Sequence, residues 1–316
     1  MTDAVTVEAP AAGWCASPKL LGVSRKTNNT FFVRTVYPDA GLEELHTMVK
    51  LVCWLFVYDD ALDYNDFKNM APEREAYRND AIRCIRDSML GRDGYDKNPA
   101  TIDSAYSLVQ GFYEIGRGIR EGLKNTDLCS WICDYLCDYV MAAAKLEEYA
   151  DTEKIMDTDG YLDMRLDTSA IYPSIALCVL TDHIDLPRWI LELEVTKKLM
   201  KLINIMGSID NDMFSVKKEL SLGHVDSLVP LLIYENSYSA QSGIDAAAAL
   251  IRASYTEFCN LEHTLYDQVP PEHLDETRRL VQCWKDCRTG LANWHYASKR
   301  YYGISFGESQ VISTTL

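Results

Sequence analysis

Positive charge is scarce in this chain. It carries 31 Lys and Arg against 47 Asp and Glu, a formal net charge of −16. A surface of that sign repels nucleic-acid phosphates and anionic lipid headgroups, so neither nucleic acid nor membrane is an expected partner. It also repels a phosphorylated small molecule, unless metal ions intervene. Long apolar runs are missing too. The longest, Leu51 to Tyr58, falls far short of the roughly 20 residues that span a bilayer. The opening MTDAVTVEAPAAGWCASP has no basic region and no long apolar stretch, so residues 1–18 read as a flexible leader on a soluble protein.

Strand signals are few, and FFVRTVY at 31–37 is the best of them. No internal repeat or low-complexity block appears. The ten cysteines include no CxxC pair. Cys129, Cys133 and Cys137 fall at i, i+4, i+8, and Cys283 and Cys287 repeat the spacing. On a helix these line one face, where thiols pack as small apolar groups; a zinc site would want a CxxC or histidine partner that the spacing does not supply. Buried free thiols imply a reducing compartment, and a cytoplasmic location is expected.

What the chain does have is helical periodicity. Its 316 residues are 47% hydrophobic, ample for one large core. Apolar residues recur at three-and-four spacing over 42–64, 73–90, 99–122, 127–149, 187–213, 239–266 and 273–302. Turn-forming clusters separate them: GRDGYDKNP at 91–99, Pro187, SLGH at 221–224 and Pro270-Pro271. None is long enough for an interdomain linker. The expectation is one all-α domain over 19–303, a bundle around a shared interior, with 304–316 a C-terminal tail.

Three stretches put polar groups where packing prefers apolar ones. In LVCWLFVYDDALDYND, an apolar run ends in Asp59, Asp60 and Asp63, with Asp59 and Asp63 on one helix face. Unpaired clustered carboxylates destabilise one another, whereas a hard divalent cation between them makes the arrangement favourable. A solvated acidic helix end is the plainer alternative, although it opposes the helix dipole. In INIMGSIDNDMFSVKKE, Asn211, Ser215 and Glu219 form a stripe of oxygen donors at i, i+4, i+8. An amide, a hydroxyl and a carboxylate can share one cation with less charge build-up than three carboxylates. Leu199, Ile203, Met206 and Ile209 lead into the stripe as an apolar face, which argues against an ordinary solvated surface. In NWHYASKRYYG, Trp294 and Tyr301 share a face beside Arg300, and a cation with a phenol suits an anionic oxygen ligand.

Together these stretches resemble the class I terpene synthases (terpene cyclases) of fungal and bacterial type. DDALD matches the family's DDxxD pattern at Asp59, Asp60 and Asp63, and NDMFSVKKE matches NDxxSxxKE at Asn211, Asp212, Ser215, Lys218 and Glu219. Arg300-Tyr301 matches the family's C-terminal RY pair. The family's diphosphate-sensing arginine precedes the asparagine of the second motif by 46 positions, and that position here is Arg165. Thr168 and Ser169 stand where the family often has aspartate or serine and then a small residue. The motifs fall in order over roughly residues 45–303.

The resemblance implies an α-helical class I terpenoid synthase fold around a central cavity, three Mg2+ ions, an isoprenyl diphosphate substrate and an inorganic diphosphate product. It implies that Asp59 serves two metals, with Asp60 and Asp63 supporting, and that Asn211, Ser215 and Glu219 hold a third. Arg165, Lys218, Arg300 and Tyr301 would donate to the departing diphosphate. Phe56 and Trp294 are candidate walls for a hydrocarbon pocket, where aromatic faces attract a carbocation. Pro173 is expected to break a helix near Thr168, Ser169 and Ala170, coupling Arg165 to ionisation. Farnesyl diphosphate is the commonest substrate in the family; geranyl and geranylgeranyl diphosphate remain alternatives. Homodimers are common there, which leaves oligomeric state open. Two other classes compete: a prenyl chain-elongating synthase, and a non-catalytic helical protein that binds cations or lipid.

Overall fold

The long periodic segments are largely helical over their described residues; residues 64 and 99–106 of them lie outside. The computed structural model describes residues 27–63, 71–91, 107–123, 125–150, 156–221, 225 and 227–302. In chain order they form α1 (Asn29–Val36), α2 (Leu42–Asp63), α3 (Ala71–Leu90), α4 (Ser107–Gly122) and α5 (Thr126–Ala150). Next come α6 (Thr158–Thr168), α7 (Ile171–Ala176), α8 (Cys178–Thr181), α9 (Arg188–Leu191) and α10 (Glu194–Ser221). The series ends with α11 (Leu228–Asn236), α12 (Ala240–Gln268), α13 (Pro271–Ala297) and α14 (Lys299–Tyr302). The architecture is all-α and single-domain, with no strand among the described residues. The expected leader and tail lie outside the described residues, as do the side chains of Asp60 and Asp63.

The inward faces of α2, α4, α5, α10 and α13 merge into one apolar core. α10 sits at its centre and touches α6, α7, α11, α12, α13 and α14. Local chemistry sets the helix starts. Asp157 accepts from Gly160 N at 2.8 Å to cap α6, and Ser239 accepts from Ser242 N at 3.1 Å to cap α12. Pro270-Pro271, which punctuates the sequence, opens α13, because a proline in the first turn lacks only an N–H that would have had no partner. The cysteines pack as expected. Cys129, Cys133, Cys137, Cys283 and Cys287 are buried free thiols.

Three expectations need correction. FFVRTVY is helix α1, not a strand: Phe32, Val33 and Val36 are buried at helical spacing and Asn28 caps the first turn. Its β-branched and aromatic composition yields to tertiary packing. The segment expected over 187–213 is divided into α9 and α10, and α10 continues to Ser221. The segment expected over 273–302 ends at Ala297; extended Ser298 intervenes and its Oγ accepts from Arg300 N at 3.2 Å, starting α14 in a new direction.

The break expected near Thr168, Ser169 and Ala170 is there, but Tyr172 before Pro173 is helical and not broken. Pro173 lies inside the first turn of α7, where a proline is tolerated. The break itself lies at Ser169 and Ala170, and Ala170 adopts φ 58°. That left-handed backbone is uncommon for a residue with a Cβ. Among the described residues no helix is long and apolar enough to cross a membrane.

Candidate active site

The last turns of α2, the α6–α7 break, the middle of α10 and the end of α13 with α14 enclose one cavity of about 360 Å³. That volume lies in the usual range for small-molecule sites, roughly 300–1,000 Å³. Asp59, Asn211, Ser215 and Glu219 line it, and so do Arg165, Lys218, Arg300 and Tyr301. Thr168, Ser169 and Ala170 contribute the break, and Phe56 and Trp294 contribute wall. Asp59 and the Asn211–Ser215–Glu219 stripe therefore face one hollow from separate helices, although they are far apart in sequence.

At the polar end, Arg165 Nη2 donates to Asn211 Oδ1 at 3.0 Å and to Asp212 Oδ1 at 3.2 Å. Asn211 Nδ2 donates to Tyr301 Oη at 3.0 Å, so one amide joins Arg165 to the C-terminal phenol. Ser215 Oγ donates to Glu219 Oε1 at 2.6 Å, while Glu219 Oε2 is buried with no hydrogen-bond partner. Tyr139 Oη donates to Asp59 Oδ1 at 3.4 Å. Burial pushes the Tyr301 phenol well above its usual range, against the pull of Arg300, so it remains a neutral O–H donor.

Asp212 lies on the far side of Arg165. Tyr161 Oη donates to its Oδ2 at 2.7 Å and Leu228 N does so at 3.4 Å. Burial raises its pKa to about 6 although Arg165 pulls the other way. Asp210 behaves alike: burial takes it to about 6 against Arg288, whose Nη2 lies 2.9 Å from its Oδ2.

The donors suit a hard divalent cation. Asn211, Ser215 and Glu219 offer oxygen atoms only, and Glu219 Oε2 is a buried carboxylate oxygen that no protein group satisfies. Such an atom is costly unless something neutralises it. Among the described residues no group of three His, Cys, Asp or Glu side chains is arranged to hold a metal, so the set is a mixed one.

The apolar end is aromatic. Phe32, Phe56 and Trp294 meet with ring centroids 5.0–5.8 Å apart. The Arg300 guanidinium carbon stands 4.9 Å over the Phe56 ring, bridging the two ends. Trp294 is pinned by Nε1 donating to Thr27 O at 3.1 Å.

Sequence reasoning missed Phe32, Tyr139, Tyr161, Ser208 and His295, all of which line the cavity. Continuing the Asn211–Ser215 stripe backward along the helix would have found Ser208. Phe32 was hidden by its strand-like neighbours. For Tyr139 and Tyr161 there was no signal beyond their aromatic character. His295 is buried against Phe214, with ring centroids 5.4 Å apart. Burial, reinforced by Arg288, lowers its pKa to about 3.

That shift has a stability consequence of definite sign. The unfolded chain protonates His295 near pH 6.5 and the folded chain does not, so its contribution is complete above pH 6.5 and is lost as pH falls toward 3. Relative to the native chain, His295→Gln should gain about 2 kcal/mol of unfolding free energy between pH 7 and pH 5. Asp210 and Asp212 work in the opposite direction, but they are present in both chains and cancel. Urea titrations at the two pH values decide it; equal pH slopes would show that the imidazole is not held neutral.

Residues 50–257 match the family described as terpene synthase family 2, C-terminal metal binding. A terpene cyclase of Annulohypoxylon truncatum is 25% identical over 280 residues, covering 87% of this chain and 73% of that protein. A sesquiterpene cyclase of Aspergillus oryzae is 22% identical over 277 residues, covering 84% and 73%. The crystal structure of germacradien-4-ol synthase from Streptomyces citricolor superposes with a TM-score of 0.70 at 18% identity, covering 91% of this chain and 88% of that one.

Proposed function

The chain belongs to the class I terpene synthases, carbon–oxygen lyases that act on isoprenyl diphosphates with a metal cofactor, and on that premise we propose that it cyclises farnesyl diphosphate to a sesquiterpene with three Mg2+ ions. One observation carries the reading: Asp59 and the Asn211–Ser215–Glu219 stripe converge on a cavity whose other end is a wall of aromatic rings. The sesquiterpene activity named for the Aspergillus oryzae relative supports the chain length.

Asp59 would hold two of the cations, with Asp60 and Asp63 in support, and Asn211, Ser215 and Glu219 would hold the third. Bound there, divalent cations neutralise the diphosphate oxygens and stabilise the charge that develops as the C–O bond breaks. Before substrate arrives, Arg165 is shared between Asn211 and Asp212. A diphosphate entering beside it offers the guanidinium a stronger anionic acceptor. Tyr301 receives the Asn211 amide through its oxygen, which leaves the phenol hydrogen free to donate to the same diphosphate. Lys218 and Arg300 add positive charge at the mouth.

The isoprenyl chain would lie against Phe32, Phe56 and Trp294. Their faces stabilise an allylic carbocation by roughly 0.5–2 kcal/mol each without attacking it. His295, neutral at working pH, adds no opposing charge to that wall. Burial of the rings excludes the water that would otherwise capture the cation.

The test is incubation with Mg2+ and geranyl, farnesyl or geranylgeranyl diphosphate, followed by gas chromatography with mass spectrometry. A cyclic fifteen-carbon product that disappears with chelator is the expected result. Elongation in the presence of isopentenyl diphosphate would identify a prenyl synthase. Binding without diphosphate release would identify a non-catalytic protein.

A further inference from the structure

The metal-facing stripe of α10 does not stop at Asn211. Read toward the N-terminus it continues through Ser208 to Asn204, residues whose spacing keeps them on the same helical face. Asn204 is fully buried amid the apolar core, an expensive place for a carboxamide. Two of its three side-chain hydrogen bonds reach the α6–α7 break, and the third ties it to its own helix. Nδ2 donates to Leu166 O at 2.7 Å, and Oδ1 accepts from Ser169 Oγ at 2.8 Å and from Ser208 Oγ at 2.9 Å.

Leu166 and Ser169 bracket the end of α6, next to Arg165 on one side and to strained Ala170 on the other. We propose that Asn204 is a positioning residue for the reaction: its carboxamide clamps the α6–α7 break to α10 and fixes the distance between Arg165 and the Asn211 stripe.

The physical case has three parts. A left-handed alanine persists only where surrounding contacts over-determine it, and here Ser169 Oγ does this from two directions. It accepts from Ile171 N at 3.3 Å while donating to Asn204. Where α6 stops, its final carbonyls lose their intrahelical partners, and Asn204 supplies a donor to the one at Leu166. Finally, Asn204 and Asn211 stand two turns apart on one rigid helix. A movement of Arg165 toward diphosphate is therefore passed through Leu166 and Ser169 to a fixed point, so the break is pulled as Arg165 moves. Asn204 does not line the cavity, and its side chain bonds only to Leu166 O, Ser169 and Ser208; its effect on chemistry is geometric.

The proposal rests on the cyclase reading, and the experiment separates the two. In Asn204→Ala, kcat should fall by about 10²-fold, the penalty typical of a misplaced reacting geometry, with KM changed far less. The product mixture should shift toward acyclic and early-quenched compounds. Calorimetry with inorganic diphosphate and Mg2+ should show affinity within about threefold of the native chain, because Arg165 and Asn211 remain. Independently of turnover, amide hydrogen exchange over residues 168–171 should accelerate by about tenfold while that of α13 is unchanged.

Should Asn204→Ala fail to fold, Asn204→Asp keeps the shape and the oxygen that accepts from Ser169 and Ser208 but replaces the amide donor to Leu166 O, and it is expected to move every readout in the same direction. Native kcat, product ratio and exchange in a folded variant would overturn the clamp. So would diphosphate affinity lost in step with turnover, which would make Asn204 part of the binding site. A native chain that releases no diphosphate would sink the cyclase reading, and the exchange measurement would still judge the clamp.

Discussion

Replacing Glu219 with glutamine should lower kcat/KM by about 10³-fold, since an unsatisfied carboxylate oxygen at the proposed cation site is being asked to supply several kcal/mol of transition-state stabilisation. Gln keeps the size of the side chain and the acceptor for Ser215, whose hydroxyl lies 2.6 Å from Glu219 Oε1. It loses the negative charge and puts an amide N–H₂ where Glu219 Oε2 now stands without a protein partner. The same change should raise folding stability by about 1 kcal/mol, because it removes a carboxylate with one buried oxygen unpartnered, whose charge adds to burial in pushing up the pKa of Asp212. Opposite signs for activity and stability are the signature of a group retained for its ligand and not for the fold. Turnover measured across a Mg2+ series, paired with urea unfolding, reads both. Activity within tenfold of the native chain, at saturating metal, would remove Glu219 from the site.

How far the sequence reaches can be judged at α10. The lower half of its stripe was legible because Asn211, Ser215 and Glu219 are polar at a spacing of one turn and because the motif around them resembles a family pattern. The upper half was not. Asn204 stands between Ile203 and Ile205, and a single amide in an apolar run is indistinguishable from a surface residue until its partners are known. Those partners, Leu166 O and Ser169, come from another helix. Long helices were visible because a 3.6-residue period repeats many times in them; α7, α8 and α9 span one turn or slightly more, too little for a period to show.

The misread segments share a cause. FFVRTVY has strand-like residues and a helical burial pattern, and contact with α13 and α2 decides between them. Pro173 signals the discontinuity at Ser169 and Ala170 correctly but not the state of Tyr172, which is helical because proline is compatible with a first helical turn. Ser298 carries no breaking signal at all. Its extended backbone redirects Arg300 and Tyr301 over the cavity, a requirement of the site that no local propensity encodes.

Gly290→Ala should be the most damaging substitution for the architecture. A methyl group at Gly290 would overlap the Thr35 carbonyl oxygen and crowd the Val36 Cα, which are backbone atoms of α1 and not the ends of adaptable side chains. Neither helix can yield locally. α1 carries Phe32 and Val36 into the cavity, and its N-terminal edge holds Trp294 through Thr27 O. Overpacking of this kind costs about 3 kcal/mol where a rigid neighbour must shift. The two helices would separate, and the aromatic wall of Phe32, Phe56 and Trp294 would lose its closest contact, the 5.0 Å approach of Phe32 to Trp294. Unfolding titrations should record the loss of stability. In whatever fraction remains folded, water admitted behind Trp294 should capture the cation early, enriching acyclic alcohols over rings. Gly207, by contrast, faces the flexible tips of Ile171 and Leu291 at 2.7 and 3.0 Å. Gly207→Ala should therefore narrow the pocket and alter product ratios at little cost in stability. If Gly290→Ala matched it in both respects, α1 would not be the seal that keeps the hydrocarbon dry.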